Sequence, residues 1–276
     1  METMRFSVAM SVYKNDDPAH FDLALRSITE MQTRKPDEIV LVVDGPVPEQ
    51  LLAVVERYEA SYPGFRSVRL EKNGGLGNAL RLAVEACSCE LIARMDSDDI
   101  AVPTRFAEQL ALFEKDASLD ICGGDITEFI GESDNVVGKR VVPQSDAEIK
   151  EYMKTRCAMN HVSVMFKRET VLAVGNYIDW FWNEDYYLWI RMQLAGCRFA
   201  NTGTVLVNVR SGEGMYQRRG GDKYFKSEKG LQDYMLDRGM IGRGTYCMNV
   251  LKRFIVQKAL PNTLRGWVFR TFAREH

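Results

Sequence analysis

The regular alternation of short apolar runs with helix-periodic segments through the first 115 residues constrains this chain more than any other feature. Residues 5–12, 38–43, 67–70 and 91–95 read as strands, and residues 18–32, 47–62, 76–86 and 103–114 read as helices. A strand that follows a helix that follows a strand cannot pair through a tight hairpin. The repetition therefore implies parallel strands joined by right-handed crossovers. In such a sheet ligands gather beyond the carboxyl ends of the strands. Tyr13, Asp44 and Asp96 all fall at those ends.

The fourth apolar run climbs to Met95 and stops at Asp96, Asp98 and Asp99. Acids at i and i+2 of an extended segment point to the same side. Hard cations want oxygen ligands, and Mg²⁺ is typically held by one or two carboxylates plus substrate phosphates. Asp96 and Asp98, with Ser97 between them, form a candidate bridge from protein to Mn²⁺ or Mg²⁺ to diphosphate. Alone, the triplet reads equally well as an acidic turn before the next helix. Three other segments supply context. Residues 7–15 carry a strand through Ser11 into a polar loop, where Tyr13 can stack on a base or close the core edge. Asp44, ahead of Gly45-Pro46, can accept from a base N–H or simply make a turn. The run Asn73-Gly74-Gly75-Leu76-Gly77 permits close backbone approach and opens a helix whose N-terminus can face an anion. Far downstream, Trp182-Asn183-Glu184-Asp185-Tyr186-Tyr187-Leu188-Trp189 puts two acids at a helix start, a placement the helix dipole favours by itself.

Taken in this order, the motifs resemble the inverting nucleotide-sugar glycosyltransferases of family 2, over residues 5–210. The resemblance implies a GT-A fold: an α/β, Rossmann-like, mostly parallel sheet flanked by helices. It implies a glycosyltransferase of the bacterial surface-polysaccharide type that takes a hexose from a nucleotide diphosphate sugar, a UDP-sugar, to a glycan or lipid-linked saccharide hydroxyl. Roles carry over residue by residue. Ser11, Tyr13, Asn73 and Gly75 match the nucleotide cradle and Asp44 the uracil-binding acid. Asp98 matches the direct metal ligand, and Asp96 and Ser97 the segment at the ribose and the metal's waters. Asp185 matches the general base, and Glu184 the acid that braces it or holds the acceptor. One base suffices for an in-line inverting displacement. Two departures stand out. Arg81 falls one place later than the basic residue that often follows the Gly-rich turn, a rotation of about 100° on a helix. Many relatives place a histidine just after the strand ending at Arg210, and residues 209–215 hold none, which leaves the metal's third protein contact open. His161 resembles a position near the acceptor pocket, with a structural histidine as the alternative.

Charge divides the chain. Residues 250–276 hold six basic residues against one acid, a net +5, while the rest carries −7. With Trp267 and Phe269 among its basics, this end reads as helical segments suited to an anionic membrane surface, or to packing on the catalytic domain or a second subunit. The expected division is a catalytic domain over residues 1–215 and a helical extension over 216–276. Six scattered cysteines read as reduced structural thiols, and no run of 18 uncharged apolar residues exists. The thiols fit the cytosol and no transmembrane helix is expected; with the basic end and what the resemblance implies, the expected protein is cytoplasmic, peripheral on the inner face of the plasma membrane, with no nucleic-acid partner. The alternatives are a catalytically inactive sugar-nucleotide-binding protein and a nucleotidyltransferase. Against the second, Tyr13-Lys14-Asn15-Asp16-Asp17 lacks the glycines its phosphate loop would need. An NAD-linked enzyme is disfavoured because no Gly-x-Gly-x-x-Gly follows the first strand.

Overall fold

The computed structural model describes residues 4–212 and 221–259. Strands β1 (Phe6–Val12), β2 (Glu38–Val43), β3 (Phe65–Arg69) and β4 (Leu91–Arg94) are parallel and lie in the order β3-β2-β1-β4. Every residue of β2 is buried, as expected of a strand covered by helices on both faces. Helices α1 (Pro18–Ile28), α2 (Glu49–Ser61) and α3 (Leu76–Ala86) make the crossovers. α1 starts where it does because the Asp17 carboxylate accepts from the Ala19 and His20 amides while Pro18 sits at the first helical position.

Beyond α4 (Arg105–Lys115) the chain extends the same sheet instead of building a separate layer. It adds β5 (Ile100–Ala101), β6 (Ile121–Phe129), β7 (Val136–Arg140), β8 (Met165–Lys167) and β9 (Phe199–Arg210), giving nine strands in the order β3-β2-β1-β4-β8-β6-β9-β5 with β7 on β6. The added strands pair antiparallel at β4–β8, β6–β8, β6–β7 and β5–β9. β9 departs from this pattern and runs parallel to β6, because α7 (Glu184–Leu194) carries the chain back across the sheet before β9 begins. Among the described residues the remaining α-helices are α5 (Asp146–Met153), α6 (Arg168–Ala173), α8 (Asp222–Asp237) and α9 (Arg243–Phe254).

One apolar layer packs α1, α2 and α4 against the face showing Phe6, Val8 and Met10. The opposite layer packs α3, α5, α7 and α8 on Ala9, Val40 and Val42, and it includes the fully buried Trp189 of α7 and Leu231 and Met235 of α8. α8 and the catalytic fold thus share one core. The expected boundary at residue 215 and the stretch from 260 to 276 lie outside the described residues. No helix among the described residues is long and apolar enough to cross a membrane.

Candidate active site

Because β1, β2 and β4 are parallel neighbours, Tyr13, Asp44 and Asp96 emerge on one edge of the sheet. The Asp44 amide donates to Val12 O at 2.8 Å. Its carboxylate organises the glycine-rich turn: Oδ1 accepts from the Gly74 amide at 2.7 Å, and Oδ2 accepts from the Gly75 amide at 3.0 Å and from Asn73 Nδ2 at 2.9 Å. Gly45 makes this approach possible, since a Cβ there would stand 2.6 Å from Asn73 N at a φ of +85°. Asp44 is thus a structural anchor of the turn carrying Asn73 and Gly75, and Oδ1 keeps one lone pair.

The acidic loop is held from three directions. Arg94, 3 % exposed, closes a two-pronged fork on Asp96, with Nη1 2.6 Å from Oδ2 and Nη2 on Oδ1. Ser97 Oγ donates at 2.9 Å to Asp16, whose carboxylate also accepts from the Tyr13 amide at 3.0 Å. Asp99 is buried and accepts from the Arg210 amide at 2.8 Å. Asp98 opens to solvent. Enough protein surrounds its carboxyl that loss of solvation, then repulsion from Asp96 and Asp16, pushes its pKa up to about 6. Burial likewise raises Asp16 and Asp99. Asp96, Asp98 and Asp99 line a cleft of about 880 Å³ with His20, Gly131 and Arg210. Among the described residues no three His, Cys, Asp or Glu side chains are arranged to hold a metal ion. The donor set nevertheless fits Mn²⁺ or Mg²⁺: hard oxygens, crowded enough to resist ionising together, in a cleft where substrate phosphates would complete the shell.

The second pair of acids stands close by. Glu184 and Asp185 open α7, and the Glu184 side chain lies against α3, 3.5 Å from where a Cβ on Gly77 would be. Burial first, and Asp185 second, push Glu184 up to about 7, while Arg94 opposes the shift. Tyr177 joins the two halves electrostatically, feeling Arg94, Asp185, Glu184 and Asp96. Its hydroxyl hydrogen-bonds His161 Nε2 at 2.9 Å. Burial and the Arg94 charge hold His161 well below the usual imidazole range, so its ring is neutral. Arg81 donates to Glu85 at 2.8 Å and Asn78 at 3.0 Å, within its own helix.

The model of the family described as Glycosyl transferase family 2 matches residues 7–176. The chain belongs to that family. It is 33% identical, over 99% of its own length and 98% of the relative's, to the Escherichia coli UDP-Gal:alpha-D-GlcNAc-diphosphoundecaprenol beta-1,3-galactosyltransferase.

 The alignment with that galactosyltransferase spans 274 residues. It is also 38% identical over 242 residues to the Erwinia amylovora amylovoran biosynthesis glycosyltransferase AmsE, covering 87% of this chain and 90% of AmsE. The S. aureus TarS 1-349 structure in complex with UDP-GlcNAc superimposes with a TM-score of 0.66 at 17% identity, over 97% of this chain and 79% of TarS 1-349. The architecture is the GT-A fold that the motifs imply, and the enzyme is a glycosyltransferase.

Several residues that support the candidate site escape a reading of the motifs. Arg94 and Asp16 are two, and α8 supplies a third in Ser227. Ser227 Oγ donates to Phe181 O at 2.7 Å and accepts from Asn183 Nδ2 at 3.0 Å, and its carbonyl accepts from Trp180 Nε1 at 3.1 Å. This clamp sets the loop that delivers Glu184. Within it Trp182 adopts φ +57° and is 48 % exposed, stacked on Phe181 with ring centroids 5.0 Å apart. A bulky residue in the left-handed region costs on the order of 1–3 kcal/mol, and half-exposed rings recover little of it by burial. Trp182→Gly is therefore expected to stabilise the fold by about 1 kcal/mol in urea unfolding. A loss of stability there would show that the Phe181 stack outweighs the strain.

Proposed function

We propose that this enzyme moves a hexosyl group from a UDP-sugar to a hydroxyl of a glycan or lipid-linked glycan, with inversion, during assembly of a bacterial surface polysaccharide. One observation carries the reading. The Asp96 carboxylate is hydrogen-bonded by the buried Arg94, whose charge is also felt by Glu184, and Tyr177 feels Arg94, Asp96, Glu184 and Asp185 together; this supports reading a metal-and-diphosphate end and a proton-accepting end as parts of one site. The names of the galactosyltransferase and AmsE relatives support the donor, the lipid-linked acceptor and the pathway.

In this reading the base of the nucleotide meets the free lone pair of Asp44 Oδ1, with Ser11, Tyr13, Asn73 and Gly75 around it. Asp98 would hold Mn²⁺ or Mg²⁺ with Asp96 and Ser97 beside it, and the cation supplies Lewis-acid stabilisation of the departing diphosphate. Asp185 takes the proton from the acceptor hydroxyl as that oxygen attacks. Glu184, which holds a proton up to about pH 7, can donate a hydrogen bond beside it. The basic C-terminal stretch would keep the enzyme on the inner face of the plasma membrane, close to a lipid-linked acceptor.

Thermal unfolding with UDP, with and without Mn²⁺, tests the donor half. At a hundredfold excess over Kd, a ligand of the folded state adds about 2.7 kcal/mol, a rise of roughly 5 °C or more in a chain this long. The rise is expected only when Mn²⁺ is present, and Asp98→Asn is expected to remove it. A UDP shift that ignores the cation, or survives in Asp98→Asn, would take Asp98 out of the donor site. UDP binding with no turnover of any sugar nucleotide would favour an inactive binding protein.

A further inference from the structure

Arg94 is the last residue of a strand whose other members, Leu91, Ile92 and Ala93, are apolar and buried. A guanidinium in that position is costly to bury unless it is paired, and an apolar residue would usually serve a core at least as well. Its backbone is fixed on both sides. The Arg94 amide donates to Val164 O at 2.9 Å, and the Arg94 carbonyl accepts from Arg105 Nη2 at 2.5 Å. Its two terminal nitrogens are spent on the two oxygens of Asp96, while Nε is buried without a hydrogen-bond partner. Asp96, by contrast, is only partly buried, so the fork brings a buried cation to the wall of the cleft.

We propose that Arg94 is a positioning residue for the donor site. It holds the Asp96 carboxylate in one orientation with both oxygens engaged, which leaves the direct ligand's place to Asp98 and makes Asp96 a fixed acceptor for the nucleotide. The inference rests on the donor-site reading above. Two consequences have opposite signs. A positive charge beside a cation site weakens cation binding, so removing it tightens the site for Mn²⁺. Removing the fork also frees the Asp96 carboxylate to turn, which loosens the nucleotide. General damage to the fold would weaken both ligands together.

The test compares the full chain with Arg94→Met and Arg94→Lys. Mn²⁺ binding to each protein alone is followed by electron paramagnetic resonance, and UDP binding at saturating Mn²⁺ by calorimetry. Arg94→Met is expected to bind Mn²⁺ at least about threefold tighter, and UDP about tenfold more weakly. Arg94→Lys keeps the charge and loses the fork. It is expected to hold Mn²⁺ within about twofold of wild type, and to lose UDP affinity as Arg94→Met does. Variants that match wild type for both ligands overturn the assignment, as does a parallel loss of both. If Arg94→Met does not fold, Arg94→Lys decides alone, since only a selective loss of UDP affinity supports the fork. Wild-type protein that binds neither UDP nor Mn²⁺ overturns the donor-site reading itself, and the role of Arg94 with it.

Discussion

Asp185→Asn is expected to lower sugar transfer by about a thousandfold while leaving UDP affinity within about twofold of wild type. The side chains have the same shape, so the first turn of α7 and its contacts with α3 persist. What changes is the ability to take a proton from an attacking hydroxyl. An amide cannot accept it, and the neighbouring Glu184 is already held toward its protonated form by burial and by Asp185 itself. Glu184 is therefore a poor substitute at neutral pH, although loss of the Asp185 charge makes it more acidic. That relief sets the residual rate, which should rise with pH as Glu184 ionises. UDP release from a sugar nucleotide in the presence of acceptor measures the rate, and calorimetry measures UDP affinity. Normal turnover in the variant would assign the base to another residue; loss of UDP binding would place Asp185 on the donor side of the site.

The first four strands and their helices were legible in the sequence because each is specified locally, by an apolar run or a helical period bounded by turn residues. α1 is the exception in length. Periodicity carries it to residue 32, yet it ends at Ile28, where Thr29 leaves helical geometry and its hydroxyl bonds back to Leu25 O at 2.7 Å. β5 and α6 were not expected, being two and six residues long, too short to show a period. Asp44 and Asp96 of the candidate site were legible because strand ends in a parallel sheet lie where ligands collect, whereas Glu184 and Asp185, at a helix start, were legible only through the family resemblance. Their supports were not. Arg94 sits in an apolar run, and only packing reveals that its charge is buried and turned on the acid two residues later. Ser227 reaches Asn183 across 44 positions of sequence, a link that no local pattern encodes. Asp44 was read as a base-binding acid, and the structure adds that it organises the turn beside it.

Glu184→Gln separates the two acids of α7 by stability and by rate. The folded protein holds the Glu184 proton up to about pH 7, against an ordinary 4.5 for a solvated glutamate. Between those values the folded state binds more protons than the unfolded chain, so stability falls as pH rises through the window and stays reduced above it. Glutamine carries no charge at any of these pH values. Glu184→Gln is therefore expected to be about 2 kcal/mol more stable than wild type at pH 8, allowing for partial screening of the full shift. The two proteins are expected to come within a few tenths of a kcal/mol at pH 4, where Glu184 is protonated in the folded state and mostly so in the unfolded chain. Urea unfolding at the two pH values reads the difference, and an equal gain at both would mean that packing, not charge, is responsible. Transfer at pH 8 is expected to fall by only about tenfold, since the amide keeps a hydrogen-bonding role while Asp185 keeps the proton. A thousandfold loss would instead make Glu184 the base. An acid that weakens the fold at neutral pH, next to a second acid it repels, is hard to account for by packing. Its presence there is explained if the acceptor hydroxyl is bound between a carboxyl that can donate and a carboxylate that can accept.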